Sequence, residues 1–303
     1  MAKYSVKHIA IALNVVLFSI LSLFLATRIY LYFFPELRSG IDCIPISYPP
    51  THPYITSPIP TVHYGNLGCP ITPKILPKPG PKVALASFPG SGNSWVRYLM
   101  EQGSGYYTGS VYIDRKLQSY GNLESVFNSS VIAIKTHESH GIINKYFTKA
   151  IDYKKCILIV RNPKQTLIAE INRFFTNDHT KSVQTSKWKS DNIQQKLLEL
   201  AYGWKSFMLS WLDYSNPLLV VQYEKLMENY QLELHRILRF LELDINEEGM
   251  QCLEHNNSGY FKRFKQSEPY LSPEVLLLIQ HVYSEVEPLL TRHNVTHYSG
   301  IIN

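Results

Sequence analysis

The chain has only 4 cysteines among 303 residues and no CxxC pair, so it is no disulfide miniprotein, and zinc or thioredoxin-type chemistry is disfavoured. Charge is sparse too, at 18%. The 30 lysines and arginines against 24 acidic residues leave a formal +6 with no dense basic tract. Such an excess suits an anionic ligand but not a nucleic acid, whose binders cluster their basic residues. There is no internal repeat, and the composition is neither collagenous nor that of a disordered chain. With 45% hydrophobic residues the chain can bury one sizeable core and a small appendage.

What is there begins with one long apolar run. Residues 9–27 carry no charge over nineteen positions, which as a helix spans ~28 Å, close to the hydrocarbon thickness of a bilayer. Tyr30, Tyr32, Phe33 and Phe34 follow as an aromatic belt, and Pro35 ends the helix. The pattern predicts an uncleaved anchor over 9–34. A cleaved signal peptide, the alternative, would have an apolar region of only about 7 to 15 residues with small residues before the cut. Lys3 and Lys7 precede the run, whereas Arg28, Glu36 and Arg38 nearly cancel after it. The positive-inside bias therefore puts the tail 1–8 in the cytoplasm and the remainder in the lumen, a single-pass type II topology. Residues 35–81 hold 12 of the 18 prolines and read as an extended stem, leaving 82–303 as the folded domain. Sequons at Asn128, Asn256 and Asn294 agree with a lumenal glycoprotein. In an oxidising lumen the cysteines could pair in three ways; Cys43 with Cys69 is the favoured pairing, and Cys156, inside an apolar run, is equally well a buried thiol.

Four short apolar runs punctuate the domain: VALAS at 83–87, VIAIK at 131–135, CILIV at 156–160 and LLVVQ at 218–222. They lack period-2 alternation and are separated by stretches of helical period, such as WVRYLMEQ and LELHRILRFLEL. That combination predicts an α/β fold, a parallel sheet covered by helices on both faces. Ligands of such sheets bind beyond the carboxyl ends of the strands, so FPGSGNSW, THESH, RNP and YEKL are the segments that matter.

In the first of these, Gly90 and Gly92 allow a tight turn that offers N–H groups to an anion at a helix N-terminus, as a phosphate loop does. It is not a Walker A loop, because no lysine precedes the hydroxyl residue in the series Gly90, Ser91, Gly92, Asn93, Ser94. A glycine turn with Trp95 as a core aromatic would be the structural alternative. Arg161 leaves the third run before a capping Asn162 and Pro163, which fixes a planar fork where it can grip a phosphate. Lys135 and His137 leave the second run towards the same edge, where an imidazole could take a proton from a hydroxyl. His137 and His140 form HESH, one residue short of the HExxH zinc pattern, so no metal site is expected.

PGSGNSW at 89–95, KTH at 135–137, RNP at 161–163 and the YEKL strand end, in that order, resemble the sulfotransferase family. The loop, YYTGS and the AEINR after RNP read closest to the WSC-domain-containing sulfotransferases, although this chain has no room for cysteine-rich WSC modules. The resemblance covers essentially 82–265. It implies a P-loop-like fold, 3′-phosphoadenosine 5′-phosphosulfate (PAPS) as donor with no metal, and, for a membrane-anchored member, a glycan or glycoprotein acceptor in the Golgi. Carried over by position, it makes Ser91, Gly92, Asn93 and Ser94 the 5′-phosphosulfate cradle, Trp95 an adenine neighbour, Arg161 a 3′-phosphate ligand and His137 the general base. Lys262 and Arg263 in GYFKRFK take the place of the family's basic loop over the 3′-phosphate. Two departures stand out. Gly90 occupies the place of a loop lysine in the cytosolic members, and Ala169 that of a serine eight residues after the arginine. The cation facing the leaving phosphate must then come from elsewhere, Lys135 or Lys262, and Glu138 and Glu170 are alternative bases. A donor-binding protein without turnover is the competing reading, and a nucleotide kinase is disfavoured by the absent Walker lysine.

Overall fold

All five residues of VALAS are buried, as expected of a strand covered on both faces, and they form β1 (Val83–Ser87) at the centre of the sheet. A computed structural model of the protein describes residues 71–141, 150–261 and 268–298. Among these, β1 is followed by α1 (Asn93–Ser104), β2 (Gly109–Ser110), α2 (Arg115–Ser119), β3 (Ile134–Thr136), β4 (Lys155–Val160) and α3 (Pro163–Thr176). A 3-10 turn (Thr185–Lys189), α4 (Asp191–Leu212), β5 (Leu218–Gln222), α5 (Tyr223–Glu228), α6 (Tyr230–Leu241), α7 (Glu247–Asn256) and α8 (Pro273–Arg292) complete it. The strand order is β2-β3-β1-β4-β5, with every pairing parallel.

Side-chain alternation sorts the apolar residues onto two faces. Ala84 and Ala86 of β1 and Cys156, Leu158 and Val160 of β4 join the core shared with α3, α4 and α8, where Trp204 and Trp211 are the largest buried side chains. Val83, Leu85, Ile157 and Ile159 join the core shared with α1, α6 and α7. The helices start on the signals their sequences carry. The Asn162 side chain accepts the Gln165 N–H ahead of Pro163 in α3, and Ser272 accepts from Val275 ahead of Pro273 in α8.

Two sequence expectations change. The second strand is Ile134–Thr136 rather than 131–135, because the Ile132 N–H turns aside to the Tyr107 carbonyl at 3.0 Å and pairing with β1 starts at Ala84 opposite Ile134. The edge strand β2 was not expected, since a two-residue Gly-Ser strand has no apolar signature. Only glycine fits at 109, where a Cβ would lie 1.9 Å from the Val126 carbonyl oxygen. Cys156 is a free buried thiol and Cys252 is disulfide-bonded, whereas Cys43 and Cys69, the favoured pair, lie outside the described residues.

Residues 71–80, assigned by composition to the stem, run along the domain. Lys74 exchanges backbone hydrogen bonds with Gly105 and Tyr107 at 2.9 Å each, and the Leu76 and Gly80 N–H groups donate to Ser130 and Ser129. The Pro-rich stretch thus shares its last residues with the fold. The expected anchor at 9–34 and the rest of the stem lie outside the described residues, among which no helix is long and apolar enough to cross a membrane.

One buried polar network matters for the site because it pins the segment after α1. Arg97 is fully buried; its Nη1 meets Glu124, its Nε donates to Thr108 Oγ1 at 2.8 Å, and its Nη2 donates to the Leu123 carbonyl at 2.9 Å. The stretch from Thr108 to Glu124 is thereby held against α1 by a water-excluded charge pair, in which Oε2 of Glu124 keeps no hydrogen-bond partner among the described residues.

Candidate active site

Parallel strands deliver the residues that follow them to one edge, and β1 lies between β3 and β4, so the segments after these three strands converge. The loop after β1 turns tightly: the Ser91 N–H donates to the Phe88 carbonyl at 3.2 Å, and Gly90 and Gly92 take φ of 87° and 93°. Gly92 caps α1, and its carbonyl accepts from Trp95 and Val96. The N–H groups of Asn93 and Ser94 have no hydrogen-bond acceptor among the described residues, and they sit at the positive end of α1. Ser91 is fully buried, with no partner for its hydroxyl among the described residues. The Asn93 side chain instead faces the sheet, its Nδ2 donating to the Leu85 carbonyl at 3.0 Å and to Ser87 Oγ at 3.1 Å. Of the Asn93 donors the backbone N–H is left for an anion, while Oδ1 is buried without a partner among the described residues.

Both glycines are required by close approach rather than by the turn alone. A Cβ on Gly90 would lie 2.4 Å from the Thr166 carbonyl oxygen and 3.0 Å from the Glu170 nitrogen of α3; one on Gly92 would lie 2.5 Å from the Tyr223 ring. The same Gly90 Cβ would meet Ala169 Cβ at 3.3 Å, so the two departures from the cytosolic pattern are neighbours in space.

Arg161, at the end of β4, donates from Nη1 to the Gly90 carbonyl at 2.8 Å and lies over the Tyr223 ring at 4.4 Å, which leaves other N–H groups of the fork for an anion. Trp95 meets the same tyrosine edge-on at 5.5 Å, and its indole N–H donates to the Asn257 carbonyl at 2.6 Å. Tyr223 therefore stands at the centre of the loop, the tryptophan and the arginine. Its signal was the YEKL segment directly after a strand, although no property of an isolated tyrosine reveals such a role.

On the other flank of β1, His137 follows β3 and is half-buried. Its Nδ1 lies 2.7 Å from the Ser87 carbonyl oxygen. A carbonyl only accepts, so Nδ1 carries the hydrogen and Nε2 keeps its lone pair, with no partner among the described residues. Burial and then the charge of Lys135 hold the imidazole well below its ordinary value of 6.5, so it is neutral at pH 7. Lys135 is buried as well, and burial lowers its own pKa against the opposing pull of Glu124. The alternative bases differ in state. Glu170 is buried in a bidentate pair with Arg173, whereas the Glu138 carboxylate accepts from the Tyr112 hydroxyl at 3.4 Å. His140 is a packing residue, with its ring 5.2 Å from Trp211 and 4.8 Å from Tyr214. Among the described residues no His, Cys, Asp or Glu cluster can hold a metal ion.

The segment beyond β2 is tied to the turn after α3 by two side-chain pairs. Asp114 accepts from His179 at 2.7 Å, and Lys116 pairs with Asp178. Burial would raise the Asp114 carboxyl, but His179 and the Leu117 N–H hold it well below the usual carboxylate range. Neither pair had a signal in the sequence. Lys262 and Arg263 lie outside the described residues. The chain leading to them is fixed on α1: the Tyr98 hydroxyl donates to the Asn256 carbonyl at 2.7 Å, and a Cβ on Gly259 would lie 2.9 Å from the Tyr98 ring.

The arrangement thus puts an anion cradle and an arginine fork on one side of β1 and a neutral imidazole with a buried lysine on the other. That set is suited to transferring a charged group from an anionic donor to a hydroxyl. Comparison with known proteins leads to the same family. A WSCD family member of Drosophila melanogaster is 39% identical over 193 residues, 60% of this chain and 57% of that protein. A WSCD family member of Aedes aegypti is 36% identical over 222 residues, 69% of this chain and 66% of that protein. The chain therefore spans about three fifths of the length of these curated relatives. The solved structure of mouse sulfotransferase SULT7A1 complexed with PAP has a TM-score of 0.48 at 18% identity, covering 71% of this chain and 86% of that one. The family model described as "Sulfotransferase domain" matches residues 80–281, more than half of the chain. On that match, the chain belongs to the sulfotransferase domain family.

Proposed function

We propose that this protein transfers a sulfuryl group from PAPS to an acceptor hydroxyl, with His137 as general base. The observation that carries the reading is the neutral imidazole, its Nδ1–H engaged by Ser87 and its Nε2 open, across β1 from the glycine loop. The residues present suit the donor: two unengaged N–H groups at a helix N-terminus, an orphaned Ser91 hydroxyl and an arginine fork with donors to spare. PAPS when bound supplies the sulfuryl group and a 3′-phosphate as a handle. The N–H groups of Asn93 and Ser94 bind the 5′-phosphosulfate, and Arg161 grips the 3′-phosphate. Nε2 of His137 takes the acceptor proton, while Lys135 provides positive charge that the loop cannot, because Gly90 leaves no space for a side chain. Donor binding without turnover is the reading that the missing loop lysine would favour, and the first experiment below separates the two.

The acceptor we propose is a glycan or glycoprotein, met in the Golgi lumen by a domain anchored through residues 9–34. What supports this is the apolar run, the stem and the sequons. Asn128 and Asn294 are exposed, and the Asn128 side-chain oxygen accepts from both the N–H and the hydroxyl of Ser130.

Three outcomes follow from this reading. Radiolabelled sulfate should pass from PAPS to a member of a glycan and glycoprotein panel, and His137→Ala should slow that transfer by about 10² to 10⁴-fold with PAP affinity nearly intact; a folded mutant of full activity would reject the base. Arg161→Ala should weaken PAP binding by about 1.5 to 3 kcal/mol in calorimetry, and unchanged affinity would remove the arginine from the site. In microsomes the domain should resist added protease and lose mass with endoglycosidase; an accessible, unglycosylated domain would refute the topology.

A further inference from the structure

His137 is held by more than its own strand. Tyr112, two residues beyond β2 and 5% exposed, lies with its ring nearly parallel to the imidazole, at a centroid distance of 5.5 Å and an interplanar angle of 21°. Its hydroxyl accepts the His137 backbone N–H at 2.8 Å and reaches the Glu138 carboxylate at 3.4 Å. Lys135 Nζ lies 5.9 Å from the centre of the same ring. One tyrosine therefore touches both proposed transfer residues. It is fixed in turn, since its N–H donates to Ser110 Oγ at 3.0 Å and its carbonyl accepts from Ser125 at 2.7 Å.

We propose that Tyr112 is the positioning residue of this site, clamping the face of the His137 imidazole and its backbone N–H so that Nε2 is presented towards the acceptor. The proposal rests on the reading of His137 as the base. Nδ1 has two oxygens of Ser87 within reach, the carbonyl at 2.7 Å and the hydroxyl at 3.4 Å, so the bond from β1 alone leaves the ring free to rock about that contact. The tyrosine face removes that freedom and keeps water from one side of the ring. The charged or titratable groups around the imidazole are Lys135 and Glu138 from β3 and its continuation, Arg173 of α3, and His179 from the turn after α3.

The test reads His137 without turnover, so failure of the transferase reading leaves it decisive. Diethyl pyrocarbonate acylates only neutral imidazole, and peptide mass spectrometry of the full-length chain resolves His137 from the other histidines. In the wild type the His137 rate should change by less than about twofold between about pH 7 and 5.5. In Tyr112→Leu it should fall by more than about twofold, up to the roughly eightfold drop of an imidazole of ordinary pKa, since Lys135 stays in place. Tyr112→Phe, which keeps the ring but not the oxygen that accepts the His137 N–H, should lie nearer the wild type than the leucine variant, and PAP affinity should stay within about twofold in all three. If the leucine variant fails to fold, Tyr112→Met carries the same expectation. A wild-type profile in the leucine or methionine variant would overturn the proposal. So would a phenylalanine variant that behaves like leucine, a parallel loss of PAP affinity, or a wild-type His137 that never reacts.

Discussion

Everything in the site depends on how closely the loop after β1 approaches the elements beside it. Gly90 lies so near the backbone of α3 that a single carbon would meet the Thr166 carbonyl oxygen at 2.4 Å, and Gly92 lies against the Tyr223 ring in the same way. Arg161 closes the arrangement by donating to the Gly90 carbonyl while lying on Tyr223. Loop, arginine and tyrosine thus share contacts, so the direction of the open N–H groups of Asn93 and Ser94 is set by packing rather than by the turn alone. The same contact accounts for both departures from the cytosolic pattern. No lysine can occupy a position without space for a Cβ, and Ala169 is small where the loop comes down upon α3.

The electrostatic balance is divided across β1. On the Arg161 side there is unspent positive potential, a helix N-terminus and a guanidinium, of the kind that binds an anion. On the His137 side charge is largely matched or suppressed: Glu170 with Arg173, Asp114 with His179, Lys116 with Asp178, and an imidazole that burial and Lys135 keep neutral. Lys135 is the cation there that burial drives towards losing its proton, so a bound anion would restore its charge. Ser87 joins the two sides, because its carbonyl orients His137 while its hydroxyl accepts from Asn93 at the start of α1.

Strands and site segments were legible for one physical reason: a doubly covered parallel sheet writes itself as short apolar runs, and its ligand residues must follow them. VALAS, CILIV and LLVVQ form strands at or within one residue of their apolar bounds. The loop, Arg161 and His137 are brought to one edge because their places in the chain follow β1, β4 and β3. What could not be read depends on distance in space. β2 is glycine and serine, and its identity comes from the Val126 carbonyl. Tyr112 and Tyr223 act through partners 25 and 62 residues away, His137 and Arg161. The buried pairing of Arg97 with Glu124 looks in the sequence like two surface charges. The Asn93 side chain is turned to β1, a direction that no motif specifies.

The close approach at Gly90 has an internal control. Gly141 has a similar positive φ, 78° against 87°, but a Cβ there would meet nothing within 4 Å among the described residues. An alanine at either place carries the same backbone strain, about 1 to 2 kcal/mol, and only at Gly90 does it also collide with α3. The most direct measurement is therefore calorimetric titration of PAP into Gly90→Ala and Gly141→Ala, each with a melting curve. The account predicts that Gly141→Ala binds like the wild type, while Gly90→Ala melts lower and loses about tenfold or more in affinity. Equal affinity in the two variants would contradict it.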